Sequence, residues 1–375
     1  MGRQKLSTAG NRKTVLDPWG TTVVEDYNRL CEEFGIQRFK SLLAEIPNPS
    51  MYMRRGVIFG HRDFESVLEN MKSHEKFAVM SGIKPTGEFH LGTLMTAREI
   101  IYFQQQGATA FYCIADIEAY EDNKIPFEKS EKIAAGNVAD LLALGFDPKR
   151  GFIYRQYKEQ RVRDLAVLFG RSVTLATMKA IYGERNIGLY LSALVQAGDI
   201  LMPQLEDFDG PKPTVVPVGI DQDAHLRLTR DLASKFRRKF NFVSPSSTYH
   251  KIMKGLDGSP KMAKRNSMSY FTLHENPESI AKKISNAFTG GRPTVEEQRR
   301  LGGVPEICPI YEIEMYHFVE KDDDVVKVYN DCKSGKLLCG EHKAKTTELV
   351  LNFVKDHKRK RRKFVDKARE IMQVA

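Results

Sequence analysis

The middle of the chain alternates short apolar runs with segments whose apolar residues recur at helical spacing. Residues 77–80 predict a buried strand, and the helical pattern after them, at 93–106, stops at Gly107 as helices commonly do. The order repeats in a strand at 109–115, a helix at 130–144, a strand at 151–154 and a strand at 213–218. Strands that alternate with helices predict an α/β fold built on a parallel, Rossmann-like sheet with right-handed crossovers.

Two parts of the chain depart from this alternation. Residues 159–204 carry a helical pattern, which predicts a helical insertion at about 158–205 between two halves of the sheet. Beyond Phe271 the pattern predicts helices at 277–288, 293–301, 309–318, 323–334 and 340–372. We therefore expect an N-terminal extension at 1–70, a Rossmann-type domain at 71–275 that contains the insertion, and a C-terminal α-helical domain at 276–375.

Composition is that of a soluble globular protein. The 375 residues are 41% hydrophobic and 28% charged, and no apolar run reaches the roughly 18 residues that a membrane span needs. The N-terminus lacks the apolar core of a secretory signal. The five cysteines include no C-x-x-C pair, which argues against a disulfide framework and a structural zinc site and favours the cytoplasm.

The charge of the chain suggests a polyanionic partner, since the net charge is +10. Basic residues are densest at 355–363, within the last predicted helix. A solvated helix face and contact with nucleic-acid phosphate are both open for this segment. The candidates for phosphate contact are Lys358, Arg359, Arg361 and Arg362.

The first strand leads into a turn rich in glycine. Its sequence is Met80-Ser81-Gly82-Ile83-Lys84-Pro85-Thr86-Gly87-Glu88-Phe89-His90-Leu91-Gly92. Glycine lets backbone approach a ligand, and the start of the next helix offers N–H groups to phosphate. The turn is neither a dinucleotide fingerprint nor a Walker loop, because it lacks both glycine patterns. His90 either donates a hydrogen bond to a phosphoryl oxygen or caps and packs the helix.

Polar residues also follow two other strands. Asp116 and Glu118 come after the strand at 109–115, and residues 219–223 (Gly-Ile-Asp-Gln-Asp) come after the strand at 213–218. Ligands of parallel sheets bind at the carboxyl ends of strands. One interpretation is therefore that Asp221 and Gln222 hydrogen-bond a ligand. The other is that Asp221 or Asp223 only caps the next helix.

A loop at 256–265 supplies positive charge through Lys261, Lys264 and Arg265, between flanking glycine and proline. Mobile cations that close over a triphosphate stabilise charge as it moves onto pyrophosphate. The alternative for such a basic loop is simple solvation.

The H-x-G turn and the K-M-x-K loop together resemble class I aminoacyl-tRNA synthetases. Nearly the whole chain is similar to the tryptophanyl-tRNA synthetases of archaea and of the eukaryotic cytosol. The similarity rests on segments 16–19, 54–63, 220–223, 227–231, 288–297 and 302–303. This resemblance implies an enzyme that activates L-tryptophan with ATP, releases pyrophosphate and charges tRNA(Trp). It also implies Mg²⁺, a homodimer formed partly by the insertion, and an anticodon-binding role for the C-terminal domain.

The resemblance assigns roles to individual residues. His90, Gly92, Lys261 and Lys264 form the implied catalytic set, and no residue is assigned to hold a metal. The remaining implied ATP-binding residues are Gly82, Lys84, Pro85, Thr86, Gly87, Thr93, Gly219, Asp221, Ile252, Met253 and Met262. The implied tryptophan-binding residues are Met80, Cys113, Glu118, Gln196, Gln222 and Leu226, with Glu118 as acceptor of the indole N–H.

Several positions depart from the family pattern. Thr93 stands where the H-x-G-H motif has its second histidine, and the loop is K-M-A-K-R instead of K-M-S-K-S. Met80, Cys113 and Leu226 replace a tyrosine, a glutamine and a phenylalanine of the eukaryotic enzymes. The resemblance therefore implies a more aliphatic indole pocket, in which Glu118 carries more of the recognition.

Two alternatives stay open at this point. Tyrosyl-tRNA synthetases share the fold, although Met80 offers no hydroxyl to meet a phenol. A non-catalytic RNA-binding paralogue is the other alternative, against which the retained His90, Gly92, Lys261 and Lys264 argue.

Overall fold

The computed structural model describes residues 16–19, 24, 26–262 and 266–374. Within them, seven strands form one sheet in the order β1-β2-β7-β6-β3-β4-β5. The strands are β1 (Gln37–Arg38), β2 (Ile58–Arg62), β3 (Ala78–Ile83), β4 (Thr109–Ile114), β5 (Gly151–Arg155), β6 (Thr214–Gly219) and β7 (Ser246–His250). Strands β7, β6, β3, β4 and β5 are parallel neighbours, and β2 and β1 extend the sheet in antiparallel pairing.

The α-helices of the first half surround this sheet. They are α1 (Tyr27–Phe34), α2 (Met51–Arg54), α3 (Glu65–Ser73), α4 (Leu91–Gln105), α5 (Asp116–Asn123), α6 (Phe127–Ala143), α7 (Gln160–Gly170), α8 (Leu175–Tyr182) and α9 (Ile187–Leu201). Those of the second half are α10 (Asp223–Lys235), α11 (Arg237–Phe240), α12 (Pro277–Ser285), α13 (Val295–Leu301), α14 (Pro309–Ile313), α15 (Asp322–Lys333), α16 (Cys339–Arg362) and α17 (Val365–Val374).

Short helical turns join these elements. The 3₁₀ turns are Phe39–Ser41, Leu43–Glu45, Pro148–Arg150, Met202–Gln204, Glu206–Phe208, Ile220–Gln222 and Pro305–Ile307. A π-helical turn, Glu314–Phe318, continues α14.

The predicted parallel sheet is confirmed, and its four predicted strands correspond to β3, β4, β5 and β6. The expected final helix at 340–372 is wrong in one respect, because it breaks after Arg362 into α16 and α17. Phe364 packs against the core at this break, and Ala368 and Met372 of α17 are buried in the same core. The turn thus lets α17 bury an apolar face that a straight helix would carry away from the sheet.

The two faces of the sheet carry different parts of the chain. Because side chains alternate along a strand, Val79 and Tyr112 point to one face and Met80 and Cys113 to the other. The first face packs against α4, α6 and the C-terminal helices, so the predicted domains at 71–275 and 276–375 share one apolar core. The second face packs against α7, α9 and α10, which places the helical insertion there.

In the described part of the chain, no single helix is both long enough and apolar enough to cross a membrane. Helices α7 and α8 reach the required length and composition only when they are counted together, and the chain bends by 108° between them.

Candidate active site

Three connected cavities lie around the carboxyl ends of β3 and β6. A cavity of about 230 Å³ reaches between these strands and α9. A second, of about 420 Å³, lies along the turn that ends at Gly92, and a third, of about 170 Å³, extends from Gly92 to Met262. Gly219 lines both the first and the third. We call them the amino-acid cavity, the turn cavity and the loop cavity.

His90 begins α4 and lines both the turn and the loop cavities. Its Nδ1 accepts a hydrogen bond from the Gly92 N–H at 3.1 Å, which assigns the proton of a neutral ring to Nε2. A Cβ at Gly92 would lie 3.1 Å from the imidazole, so a larger residue would press on the His90 ring. The expected cap and the expected phosphate donor are therefore compatible, since they use different nitrogens.

Four of the predicted tryptophan-binding residues share the lining of the amino-acid cavity with Glu118. They are Met80, Cys113, Gln196 and Gln222. The Gln196 Nε2 donates to Gln222 Oε1 at 3.5 Å, so the two amides face one another. Gly82 allows β3 and β4 to meet here, because a Cβ on it would come within 2.4 Å of the Cys113 carbonyl oxygen. Leu226 is buried in the apolar cluster behind Met80 and lies outside the cavity lining.

The charge of Glu118 is compensated by Lys84. The Lys84 Nζ lies 3.1 Å from Glu118 Oε1 and 2.5 Å from Asp122 Oδ2. Burial alone would lower the pKa of Lys84, but the two carboxylates outweigh it and raise that pKa above its ordinary value. Lys84 lines both the amino-acid and the turn cavities, so this ion pair stands at their junction.

A buried acid that sequence reasoning missed also lines the amino-acid cavity. Asp199 is 1% exposed, and it accepts hydrogen bonds from the Tyr154 hydroxyl at 2.9 Å and from Gln156 Nε2 at 2.6 Å. Burial raises the pKa of Asp199 to about 7, although Gln156 and Tyr154 act in the opposite direction. One signal was present in the sequence: Asp199 follows Gln196 by three residues, the spacing that puts two side chains on one helix face.

The loop cavity gathers most of the remaining predicted ATP-binding residues. Gly219, Asp221, Ile252, Met253, Lys261 and Met262 line it together with His90 and Gly92. The Lys261 Nζ lies 2.9 Å from Asp221 Oδ2, so an acid and a base expected at different parts of ATP are paired with each other. Lys264, with Ala263 and Arg265, lies outside the described residues.

His250 is a second group that sequence reasoning missed. It ends β7 and lines the loop cavity, and its Nδ1 lies 2.9 Å from Glu99 Oε1 on α4. Burial alone would lower the pKa of His250, but the Glu99 carboxylate outweighs it and raises that pKa above its ordinary value. A Cβ on Gly219 would lie 3.5 Å from His250 Nε2, which puts this nitrogen at the boundary that Gly219 shares with the amino-acid cavity.

Other predicted residues lie at the edges of the site or serve the fold. Thr86 and Thr93 line the turn cavity, whereas Pro85 and Gly87 lie outside the three linings, with Gly87 O accepting from Asn137. The expectation that an aspartate caps α10 is wrong, because Gln222 stands at the cap and its side chain makes no capping hydrogen bond. Asp223 is instead buried between Arg62 and Arg227, at 2.8 and 3.0 Å.

Asp116 has a structural role at the end of β4. It is fully buried and forms an ion pair of 2.8 Å with Arg155. It also accepts the Tyr157 backbone N–H at 3.0 Å. These bonds hold the ends of β4 and β5 together next to the amino-acid cavity.

The four candidates for phosphate contact on α16 divide into two inward and two outward residues. Lys358 Nζ donates to the Glu275 carbonyl at 2.8 Å, and Arg361 Nε lies 3.0 Å from Asp140. Arg359, which pairs with Asp356, and Arg362 are exposed. The inward pair ties α16 to the body of the protein, and the outward pair lies on its surface.

Asp140 is also the centre of a group with metal-ligand chemistry. The Nε2 atoms of His274 and His357 lie 2.9 and 2.8 Å from its carboxylate. Burial alone would raise the pKa of Asp140, but these histidines and Arg361 outweigh it and lower that pKa. Because the Arg361 guanidinium already occupies the carboxylate and repels a cation, the group acts as an ion-pair cluster that fastens α16 to α6.

Comparisons with known proteins agree with this geometry. Residues 71–355 match the family model of the class I tRNA synthetases for W and Y. The Tryptophan--tRNA ligase of Hyperthermus butylicus is 43% identical over 96% of this chain and 98% of its own, and that of Methanocaldococcus jannaschii is 40% identical over the same shares. The crystal structure of tryptophanyl-tRNA synthetase from Aeropyrum pernix K1 superposes with a TM-score of 0.87 at 42% identity, covering 96% of this chain and 98% of that one.

Proposed function

This chain belongs to the class I tRNA synthetase family of the tryptophan and tyrosine enzymes, and from that premise we infer that it is a tryptophan–tRNA ligase. One observation carries this conclusion. A cavity lined by Met80, Cys113 and two facing glutamines joins a cavity lined by His90 and Lys261 at Gly219. An amino acid with an apolar side chain, bound in the first cavity, would thus lie next to a site with phosphate-binding chemistry.

The reaction requires alignment more than proton transfer. The tryptophan carboxylate, already ionised at neutral pH, attacks the α-phosphorus of ATP. A carboxyl O–Pα bond forms while the Pα–O bond to the β-phosphate breaks, and pyrophosphate leaves with that bonding pair. The terminal ribose hydroxyl of the tRNA then attacks the carbonyl carbon and displaces AMP. Charge moves onto pyrophosphate in the first step, so preorganised donors there lower the barrier.

The residues of the site have matching roles in this proposal. His90 Nε2–H and the ammonium groups of Lys261 and Lys264 meet the triphosphate, and Gly92 keeps the helix start accessible to it. The backbone of Ile252 and Met253 meets adenine, and Gly219 and Asp221 meet the ribose. When the triphosphate binds, the Lys261 ammonium group leaves Asp221 and pairs with a phosphate oxygen. Gln196 and Gln222 offer amide oxygens to the ammonium group of the amino acid.

Mg²⁺ belongs to this proposal as a companion of ATP. Oxygen atoms are the ligands that Mg²⁺ prefers, and Thr86, Thr93, Thr96 and Asn123 bring hydroxyl and amide oxygens to the turn cavity. That donor set fits the ion, and these side chains would help to hold it beside the phosphate oxygens of ATP. When bound, the ion supplies positive charge against the phosphate oxygens.

We propose that tRNA(Trp) and a second copy of the chain use different surfaces. Arg359 and Arg362 are the phosphate contacts on the C-terminal helices. Each helix of the insertion exposes apolar side chains: Val167 on α7, which is 74% exposed, Leu175 on α8, and Ile187, which is 79% exposed, and Leu191 on α9. Exposed apolar residues concentrated in one insertion fit an interface between copies, so we expect a homodimer. We place the enzyme in the cytoplasm, where charged tRNA is used.

Amino-acid-dependent ATP–pyrophosphate exchange tests the proposal, followed by charging of tRNA(Trp). We expect exchange with tryptophan and none above background with tyrosine. Exchange with tyrosine instead would identify the alternative ligase. Absence of exchange with either, together with tRNA binding, would identify a non-catalytic RNA-binding protein.

A further inference from the structure

We propose that Asp199, not Glu118, accepts the hydrogen bond of the indole N–H and thereby makes the amino-acid cavity selective for tryptophan over analogues of the same shape that lack this N–H. This inference rests on the proposed function and names the residue that sets its substrate. The indole N–H is the single donor of that ring system and requires an acceptor when it is buried. Met80 and Cys113, which line the same cavity as Asp199, are poor acceptors.

Asp199 has capacity for one further donor. An ionised carboxylate offers about four lone-pair positions on its two oxygens. The Tyr154 hydroxyl bonds one oxygen and Gln156 Nε2 bonds the other. The Cys113 thiol is the third donor that interacts with this carboxylate. One lone pair therefore remains for a ligand in the cavity that Asp199 lines.

The surroundings of Asp199 also make it a strict acceptor. It is fully buried, and burial raises the pKa of its carboxyl group because bonds to Gln156 and Tyr154 only partly replace water. An additional donor stabilises the ionised form directly. A ligand of similar shape without an N–H would leave this carboxylate short of a partner in a dry site, which is how a binding site rejects an analogue.

Glu118 is the less suitable acceptor. Its carboxylate is paired with Lys84 at 3.1 Å, at the junction with the turn cavity. Lys84 also pairs with Asp122, so Glu118 belongs to a cluster of charges. The carboxylate of Glu118 thus already shares a cation, whereas the donors that bond Asp199 on α9 are the neutral groups of Tyr154 and Gln156.

The test measures kcat/KM in ATP–pyrophosphate exchange for tryptophan and for 3-benzothienylalanine, in which sulfur replaces the indole N–H. We expect the wild-type enzyme to prefer tryptophan by roughly 10- to 100-fold, the range for a hydrogen bond to a charged group. Asp199→Ala should bring this preference to within about 3-fold, and Asp199→Asn should leave an intermediate value.

Two matched variants separate recognition from general damage. Glu118→Gln should lower activity toward both amino acids and keep the preference. Tyr154→Phe removes one donor to Asp199 but keeps the carboxylate, so the preference should also persist. If Asp199→Ala does not fold, Asp199→Asn and the wild-type ratio decide the question.

Three results would overturn the inference. One is a wild-type enzyme that uses both amino acids equally well. Another is an unchanged preference in Asp199→Ala or, where that variant does not fold, in Asp199→Asn. The third is a preference lost in Glu118→Gln and kept in the Asp199 variants, which would assign the acceptor to Glu118. Failure of the proposed function is distinct, because the wild-type enzyme would then show no exchange with tryptophan.

Discussion

The two ends of the site solve opposite problems with similar residue types. At the amino-acid end, Asp199 is held by Tyr154 and Gln156 at 2.9 and 2.6 Å, and all three lie on strand β5, the turn after it, or helix α9. At the nucleotide end, Lys261 lies on a loop and its partner Asp221 is a residue that also lines the cavity. The first arrangement is complete before a ligand arrives, and the second must change its pairing.

The difference follows from what each end must do. Discrimination depends on the free energy lost when a buried polar group has no partner, so the recognising carboxylate must be dry and immobile. Phosphate chemistry needs positive charge that follows electrons as they move, and a partly exposed ion pair costs little to separate. In our proposal the chain therefore places its specificity on rigid elements and its catalytic donors on a loop and a helix start.

Removing a cation or donor at the nucleotide end has the largest expected effect. We expect His90→Ala to lower kcat of exchange by roughly 100- to 1000-fold, the usual loss for one preorganised donor. His90→Asn is the matched control, because asparagine caps helices well and lacks the reach of imidazole. It should preserve the melting temperature and still lose the rate. A near wild-type rate in His90→Asn would reduce His90 to a helix cap.

Lys264→Ala should cost about as much as the loss of His90, again roughly 100- to 1000-fold in exchange rate. The cause is the same, since its ammonium group is expected to meet the departing pyrophosphate. Lys264→Arg keeps the charge and is the control. Exchange at nearly the wild-type rate in Lys264→Ala would contradict the role of this loop.

Lys84 joins the two ends, and its removal should affect both of them. Lys84→Met leaves Glu118 and Asp122 as neighbouring carboxylates without their shared cation. We expect KM for ATP and KM for tryptophan each to rise by roughly 10- to 100-fold, because bonds to a charged group are lost. Lys84→Arg should recover much of this loss. A change in the KM for ATP alone would contradict the claim that Lys84 acts on both ends of the site.

The buried acid should appear in the pH dependence of stability. The pKa of Asp199 is raised from 3.8 to about 7 in the folded protein, so unfolding releases a proton between these values. The contribution of Asp199 to stability therefore falls as pH rises through that window and is constant above it. The stability of Asp199→Asn relative to wild type should rise by about 1–4 kcal/mol across the same window. Denaturant melts across this pH range check it, and a pH-independent difference would contradict a raised pKa.

The smallest effect is expected on the exposed basic residues of α16. Arg359→Gln with Arg362→Gln should weaken tRNA binding a few-fold and lower the salt slope of binding by about 1 per lost contact. The control is Lys72→Gln with Lys76→Gln, at the end of α3 and just after it, which makes the same change in net charge at another surface. Equal effects of the two double variants would make α16 a solvated face.

The nucleotide end was more accessible to sequence reasoning than the amino-acid end. Two of its strands are apolar runs and its groups follow them, so His90, Gly92 and Asp221 could be placed together in advance, and the K-M-x-K resemblance added Lys261. Strand β7 gave no such signal, because Ser246, Ser247 and Thr248 are polar although fully buried. His250 at its end was missed for that reason.

The amino-acid end depends on contacts between distant segments. Asp199 is the single charged residue of α9, and its donors Tyr154 and Gln156 lie more than 40 residues earlier. Lys84 was expected to bind ATP, and its pairing with Glu118 requires α5, a helix that the pattern did not predict. Such groups are recognised only when the fold shows which charges are buried together.

A crystal structure with ATP and tryptophanamide, which lacks the attacking carboxylate, tests the contrast between the two ends most directly. We predict that Asp199, Tyr154 and Gln156 keep their distances and that one Asp199 oxygen lies within about 3.2 Å of the indole nitrogen, the limit of a good N–H···O bond. We also predict that Lys261 leaves Asp221 for a phosphate oxygen. A bound state in which Lys261 stays on Asp221 while the residues around the indole rearrange would contradict the account.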